Sequence, residues 1–215
     1  YVIYGNTVPS VTGTFDLSDL DGTNGFVLNG AARGDRAGFE VSDAGDMNGD
    51  GFKDFMVAAV KADGNGRDSG AVYVVYGGSD LATTGQLELS ALDGTNGYLI
   101  NGLNAGDWAG YSLSSAGDVN GDGLDDIIIG ANQVDANGNV DAGASYVIFG
   151  NTVPSVTGAF ELSDLDGTNG FVINGTDGND QSGAAVSAAG DVNGDGIADL
   201  LIGAYLGDAD GATDA

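Results

Sequence analysis

The stretch DVNGDGLDD at residues 118–126 decides the fold, and it has two close copies, DMNGDGFKD at 46–54 and DVNGDGIAD at 191–199. Each copy begins inside the sequence AGD and leads into a short apolar run, which is FMVAAV, IIIGA or LLIGAY. Short runs rich in branched side chains and bounded by Gly and Asp are typical of β-strands. The sequence therefore predicts three acidic loops, each between two β-strands.

Oxygen-bearing side chains occupy positions one, three, five and nine of each loop, and glycines at positions four and six permit a sharp turn. Calcium takes six to eight oxygen ligands at about 2.3 to 2.6 Å, whereas magnesium is a weaker candidate because it keeps its waters. The sequence predicts about three Ca²⁺, one per repeat. The predicted ligands, with the residue at position seven acting through its carbonyl, are Asp46, Asn48, Asp50, Phe52 and Asp54; Asp118, Asn120, Asp122, Leu124 and Asp126; and Asp191, Asn193, Asp195, Ile197 and Asp199.

Charge repulsion and apolar contacts should both affect how rigidly such a loop is held. Three carboxylates in one loop repel one another unless a cation lies between them, so we expect calcium to make each loop rigid. The apolar side chains at position seven are expected to turn toward the sheet and hold the loop against it.

An EF-hand or a dockerin loop opens in the same way, but those families need an acidic ligand at position twelve and helical flanks. Position twelve is an apolar strand residue in every copy here: Val57, Ile129 and Ile202. The sequence therefore favours a loop between strands over both families. A plain polar turn is disfavoured, because turn chemistry alone does not require Asp at position nine.

A longer period contains the loops, because YVIYG at 1–5 recurs as YVVYG at 73–77 and YVIFG at 146–150. The chain divides into repeats at 1–72, 73–145 and 146–215, each with four or five short strands. This pattern predicts an all-β fold of four-stranded antiparallel β-propeller blades, favoured over a β-helix or a β-sandwich array. Propellers need about 4 to 8 blades, so three repeats are expected to form an incomplete ring, cut between strands at both ends.

Composition excludes several classes of function. The chain has 32 acidic and 5 basic residues among 215, a net charge of -27, which opposes binding to nucleic acid and to anionic membranes. It has no cysteine and no histidine, so disulfides, thiolate or imidazole metal sites and His-dependent triads are excluded. Weak oxygen-ligand calcium sites fill where calcium is plentiful, which predicts an extracellular or cell-surface location. We find no apolar run of about 18 residues that would predict membrane insertion.

A second repeated motif, LDGTNG, occurs at 20–25, 92–97 and 165–170. Its DG and NG pairs favour a hairpin turn, because both supply positive φ angles. A second cation site is the alternative, through Asp21 and Asn24 and the corresponding pairs Asp93 and Asn96, and Asp166 and Asn169.

AGD-x-NGDG-x-x-D followed by IIIGA, once per repeat, resembles the FG-GAP repeat of integrin α-subunit propellers and of many bacterial surface proteins. The resemblance implies that the acidic loop joins the first two strands of a blade and binds calcium, at the residues named above. The chain departs from the family pattern in two places: the GAP proline is absent, and the FG pair is Gly38-Phe39, Gly110-Tyr111 and Gly183-Ala184.

We therefore predict a calcium-binding, extracellular structural or cell-adhesion module that forms a segment or subunit of a surface fibre or of a larger propeller array. Its predicted partners are other copies of itself or neighbouring blades, and an extracellular protein or glycan. We predict no enzymatic activity, because every prominent acidic group occurs three times, whereas a catalytic pair is expected once. The alternatives are a carbohydrate-binding module, although Trp108 is expected to lie in the core, and a carbohydrate-active enzyme domain.

Overall fold

The computed structural model describes residues 1–5, 13–79, 81–150 and 158–207, and these residues form an all-β structure without an α-helix. No helix in these ranges is long and apolar enough to cross a membrane. Over the same ranges, 3₁₀ turns lie at Leu17–Asp19, Leu89–Ala91, Ala136–Gly138 and Leu162–Asp164. The strands are β1 (Val2–Ile3), β2 (Gly25–Asn29), β3 (Ala37–Gly45), β4 (Asp54–Ala59), β5 (Ala71–Val75), β6 (Gln86–Glu88), β7 (Gly97–Asn101), β8 (Ser112–Gly117), β9 (Asp126–Ala131), β10 (Ala144–Ile148), β11 (Ala159–Glu161), β12 (Gly170–Asn174), β13 (Ser182–Gly190) and β14 (Asp199–Ala204).

Within the described residues, the strands form four successive sheets. The second sheet has the order β3-β4-β5-β7, with β11 added beside β7, and the third has the order β8-β9-β10-β12. Within these two sheets the four main strands are antiparallel. The first sheet contains β1, β2 and β6, and the fourth contains β13 and β14. The prediction of four-stranded antiparallel blades that do not close into a ring is confirmed for the described residues.

One short strand of the second repeat and one of the third cross to the preceding sheet. Strand β6 pairs in parallel with β2, and β11 pairs in parallel with β7. The motif LDGTNG at 92–97 therefore connects two sheets, because β6 before it and β7 after it belong to different ones. The motif forms a turn, as expected, but the prediction of a hairpin between paired strands is wrong.

Each complete blade takes its strands from two successive sequence repeats. The boundary at 72/73 falls within β5, and the boundary at 145/146 falls within β10. Strands β3 and β4 precede the first boundary, whereas β7 follows it. The sequence divisions therefore describe the period of the chain, while the sheets extend across them.

The core lies between the sheets, because strand residues alternate between two covered faces. In β9, Ile127 and Ile129 pack with residues of the second sheet, such as Val74. Ile128, which points the other way, packs against Val186 and other residues of the fourth sheet. Ile127, Ile128 and Ile129 are fully buried. The third sheet is therefore covered on both faces, as its continuous apolar sequence predicts.

Candidate metal centre in three acidic loops

The three acidic loops occupy equivalent places in three sheets. The loop at 46–54 joins β3 to β4, the loop at 118–126 joins β8 to β9, and the loop at 191–199 joins β13 to β14. In every loop, the aspartate at position nine is the first residue of the second strand. The expectation that each loop joins the first two strands of a blade is met at all three.

The first aspartate organises the turn by accepting backbone N–H groups. In the middle loop, Asp118 Oδ1 accepts hydrogen bonds from the N–H of Gly121 at 2.7 Å and of Asp122 at 3.1 Å. Asp118 Oδ2 accepts from the N–H of Gly123 at 2.9 Å. Gly121 and Gly123 have φ angles of +78° and +93°, which L side chains rarely adopt. The corresponding bonds occur in the other two loops.

Positions three and five lie together at the tip of the loop. Asn120 Oδ1 accepts from the N–H of Asp122 at 2.8 Å, and Asn120 Nδ2 donates to Asp122 Oδ2 at 2.9 Å. Asp122 Oδ1 accepts from the N–H of Leu124 at 2.9 Å. Each Asp122 oxygen has two lone pairs and accepts one of these hydrogen bonds, so it retains capacity for a cation.

Position nine is buried in the first two loops. Asp126 is fully buried; its Oδ2 accepts from Val119 N–H at 2.8 Å and its Oδ1 from Gly150 N–H at 2.7 Å. Burial raises the pKa of Asp126 to about 6, against the lowering effect of these two bonds, and the nearby Asp122 and Asp118 raise it further. Burial likewise raises the pKa of Asp54, with a smaller contribution from the carboxylates of its own loop.

The donor set fits a hard cation in its chemistry. Each loop offers carboxylate, amide and carbonyl oxygens, which are calcium ligands. The ion pairs within the described residues are Lys53–Asp125, Lys61–Asp68 and Arg67–Asp68, and none of them includes a predicted ligand side chain. Over the same ranges, no three acidic side chains are gathered closely enough to form a ready metal cage. The ligand roles therefore remain predictions, and they require the carboxylates to come closer together around an ion.

The apolar side chains at position seven contact more than their own sheet. A Cβ atom added at Gly150, just after β10, would lie 2.7 Å from Leu124 Cβ, so the base of Leu124 lies on its own sheet, as expected. A Cβ atom added at Gly49 would lie 3.0 Å from Leu124 Cδ2, so the tip reaches the preceding loop. Phe52 remains 46% exposed. The expectation of an anchor to one sheet is therefore incomplete.

Sequence reasoning missed two kinds of residue at these loops. Gly77 and Gly150 donate the backbone N–H groups that reach Asp54 and Asp126 across the sheet. The repeated glycine that ends YVVYG and YVIFG was the available signal. Asp125, at position eight, contacts the preceding loop, and its single occurrence gave no repeated signal.

Trp108 lies outside the buried core clusters and is half-buried, so the prediction of a core role is wrong. Its backbone has a positive φ of 56°, and its ring stacks on Tyr111 with centroids 6.3 Å apart. The Lys61 ammonium nitrogen lies 3.8 Å from the centroid of the Trp108 ring. The corresponding residues of the other two repeats, Arg36 and Gln181, also have positive φ angles, of 58° and 55°.

The LDGTNG motif shows internal turn bonding. Asp93 Oδ1 accepts from both the N–H and the hydroxyl of Thr95, and Asn96 Oδ1 accepts from the N–H of Asp93. The hydrogen bonds to Thr95 lower the pKa of Asp93. The Asp93 carboxylate is thus engaged by its own turn, which favours the turn over a second cation site.

Comparison with known proteins finds a repeat family that matches two of these loops. The model of the FG-GAP repeat matches residues 109–148 and 182–215, and each match includes one acidic loop with its flanking strands. Integrin alpha-PS2 of Drosophila melanogaster is 28% identical over 170 residues, covering 77% of this chain and 11% of that protein. Integrin alpha pat-2 of Caenorhabditis elegans is 35% identical over 126 residues, covering 59% of this chain and 9% of that protein. Integrin alpha-5 of Xenopus laevis is 28% identical over 177 residues, covering 78% and 14%.

The chain spans about a tenth of the length of these curated relatives. All three are animal proteins, so the bacterial variety of the family stays a prediction. The chain therefore contains FG-GAP repeats at residues 109–148 and 182–215, and its sequence is similar to those of integrin α chains.

Proposed function

We propose that the chain is a calcium-stiffened extracellular module for adhesion or assembly, without catalytic activity. One observation carries the proposal: the same acidic loop opens the second strand of three successive sheets, and in two of them its last carboxylate is buried. A buried carboxylate beside two others is unfavourable unless a cation compensates the charge. The integrin names of the relatives support the adhesive role.

In each loop, the side chains at positions one, three, five and nine and the carbonyl at position seven would hold the ion. Calcium supplies a divalent positive charge that cancels most of the repulsion among three carboxylates. The chain's own residues shape the turn and bury its last carboxylate at the start of a strand. Binding would therefore stabilise the junction between the first two strands of each blade.

The repetition of the acidic groups argues against an enzyme. A catalytic carboxylate pair is expected once, in an asymmetric cleft, with pKa values set apart by its surroundings. Here burial shifts the pKa of Asp54 and Asp126 in the same direction, at equivalent positions of two blades. Equivalent shifts in repeated loops support a structural role.

The free edges of the first and fourth sheets are evidence that neighbouring blades, or other copies of the chain, are partners. In the third sheet, β10 lies between β9 and β12. Strand β14 is the counterpart of β9, and β1 is the counterpart of β10. In the described residues β14 pairs only with β13, and β1 only with β2. The free edges of β14 and β1 are therefore complementary, and a strand of one kind fits beside a strand of the other.

Calcium titration of chelator-stripped protein by calorimetry tests the proposal, with melting temperature and particle size followed in parallel. We expect three ions per chain and a higher melting temperature, while growth in particle size would indicate calcium-dependent assembly. The variants Asp50→Ala, Asp122→Ala and Asp195→Ala should each remove one ion. Asp93→Ala, in an LDGTNG turn, is the matched control and should remove none. Absence of binding up to about 10 mM calcium, beyond the weak extracellular range, would overturn the proposal.

A carbohydrate-binding module is the alternative, favoured by the rim aromatics Trp108, Tyr111 and the 42%-exposed Phe39. Against it, the Lys61 ammonium already lies over the Trp108 ring, where a sugar would have to stack. Trp108 is the single tryptophan, so its fluorescence reports on this surface alone. A saturable fluorescence change with oligosaccharides would support the alternative.

A further inference from the structure

Neighbouring acidic loops contact each other through position eight. Asp125, in the middle loop, donates its N–H to the carbonyl of Asp46 at 3.3 Å. Its carboxylate Oδ2 accepts from the N–H of Asp46 at 2.8 Å and from Lys53 Nζ at 2.8 Å. Asp125 therefore holds both backbone polar groups of Asp46, which is the first predicted ligand of the preceding loop.

The next junction has the same main-chain contact without the carboxylate. Ala198, at position eight of the third loop, donates its N–H to the carbonyl of Asp118 at 3.2 Å. The apolar contact also recurs, because a Cβ atom added at Gly121 would lie 3.2 Å from Ile197 Cδ1. The side chain at position eight is thus the main difference between the junctions.

A glycine precedes the first aspartate at both junctions and makes room for position eight. Gly45 and Gly117 have φ angles of +72° and +71°. A Cβ atom added at Gly45 would collide with the Asp125 side chain, and one added at Gly117 would lie 3.0 Å from Ala198 Cβ. The two junctions therefore have the same backbone geometry, and exchanging the residues at position eight is a fair comparison.

Asp125 is also bonded covalently to Asp126, whose carboxylate accepts N–H groups of its own loop and sheet. This dipeptide therefore contacts two loops. Asp125 is hydrogen-bonded to the backbone of the first loop, and Asp126 is hydrogen-bonded to the backbone of the second loop and its sheet. The Lys53 contact contributes little to this link, because the Lys53 side chain is 73% exposed and exposed ion pairs are weak. The charge-assisted bond to the Asp46 amide is the stronger part.

We propose that Asp125 is a positioning residue that couples the first two calcium loops, so that ordering either loop fixes the other. This inference rests on the proposed calcium function. Coupling is reciprocal: calcium in the loop at 118–126 should raise the affinity of the loop at 46–54, and the reverse effect should have the same size. The loop at 191–199 should be coupled more weakly to its neighbour, since Ala198 offers only its backbone.

Hydrogen exchange in calcium-free protein tests the contact itself. Asp125→Ala should speed exchange of the Asp46 amide about tenfold, because its acceptor is lost. Asp125→Asn keeps an acceptor oxygen and should restore most of the protection, whereas a general loss of structure would also expose amides of β9 and β10. Ala198→Asp should slow exchange of the Asp118 amide. Unchanged exchange at Asp46 in Asp125→Ala would overturn the inference.

Calcium titration tests the coupling. Removing the middle site with Asp122→Ala should weaken calcium binding by the loop at 46–54 about fivefold, and Asp50→Ala should weaken the middle loop equally. In an Asp125→Ala background, both effects should disappear. Three independent sites of unchanged affinity would overturn the coupling while leaving the calcium function intact. Wild-type protein that binds no calcium would overturn the proposed function, and the inference with it.

Discussion

The loops at 118–126 and 191–199 have the same predicted ligands but different surroundings. Asp126 is fully buried and accepts from two backbone amides, one of them donated by Gly150, just after the neighbouring strand β10. Asp199 is half-buried, and the backbone bond described for it comes from Val192 of its own loop. Val192 is 73% exposed. The nine-residue motif thus sets the shape of the turn, while the adjacent strand sets how strongly the turn is held.

The largest effect should come from deleting the carboxylate at position nine. In calcium-free buffer, Asp126→Ala leaves one buried and one partly buried N–H group unsatisfied, at about 1–3 kcal/mol each, so we expect a loss of about 4 kcal/mol in unfolding free energy. Asp199→Ala should cost about 1 kcal/mol, because a partly exposed amide can bond to water. Urea unfolding measures both, and Asp126→Asn, which keeps an acceptor oxygen, is the control. Equal losses at the two positions would contradict the conclusion that the adjacent strand holds the loop at 118–126 more strongly than the loop at 191–199.

A smaller difference is expected at position twelve, within the second strand of the blade. Ile129 is fully buried between sheets, so Ile129→Ala should cost about 3 kcal/mol. Ile202 holds the same place in β14 but is only partly buried, so Ile202→Ala should cost about half as much. Thermal and urea unfolding give both values. A loss at Ile202 as large as that at Ile129 would show that the fourth sheet is covered by something outside the described residues.

The sequence predicts the local chemistry well, because the turn is encoded within nine residues. The positive φ angles at Gly121 and Gly123 and the bonds to Asp118 follow from the motif itself. The sequence could not predict the contacts between residues that are far apart in the chain. The parallel pairing of β6 with β2 and the contact of Asp125 with Asp46 join separate repeats, and no local pattern encodes them.

Packing between loops should give the next effect in size. Gly45→Ala and Gly190→Ala both place a side chain at a φ angle near +70°, so they share the cost of backbone strain. The added methyl group meets the Asp125 side chain at Gly45 but open space at Gly190. We expect Gly45→Ala to cost about 1 kcal/mol more than Gly190→Ala in urea unfolding. Equal costs would mean that the first two loops are not in firm contact.

The smallest effect should lie at the parallel pairings between sheets. Glu161 in β11 accepts from Asn101 Nδ2 at 2.7 Å and from Asn65 Nδ2 at 2.6 Å, whereas Glu88 in β6 accepts from Asn29 Nδ2 at 2.6 Å. These side chains are exposed or only partly buried, so each bond should contribute about 0.5 kcal/mol or less.

Glu161→Ala should therefore lower the unfolding free energy by somewhat under 1 kcal/mol, and Glu88→Ala by about half of that. Glu161→Gln retains an acceptor oxygen and should recover part of the loss. Because the contacts are near the surface, Glu161→Ala should speed local hydrogen exchange in β11 more than it changes global stability. A global loss above about 2 kcal/mol would instead make this side-chain contact, rather than the buried faces, a principal link between the second sheet and the next repeat.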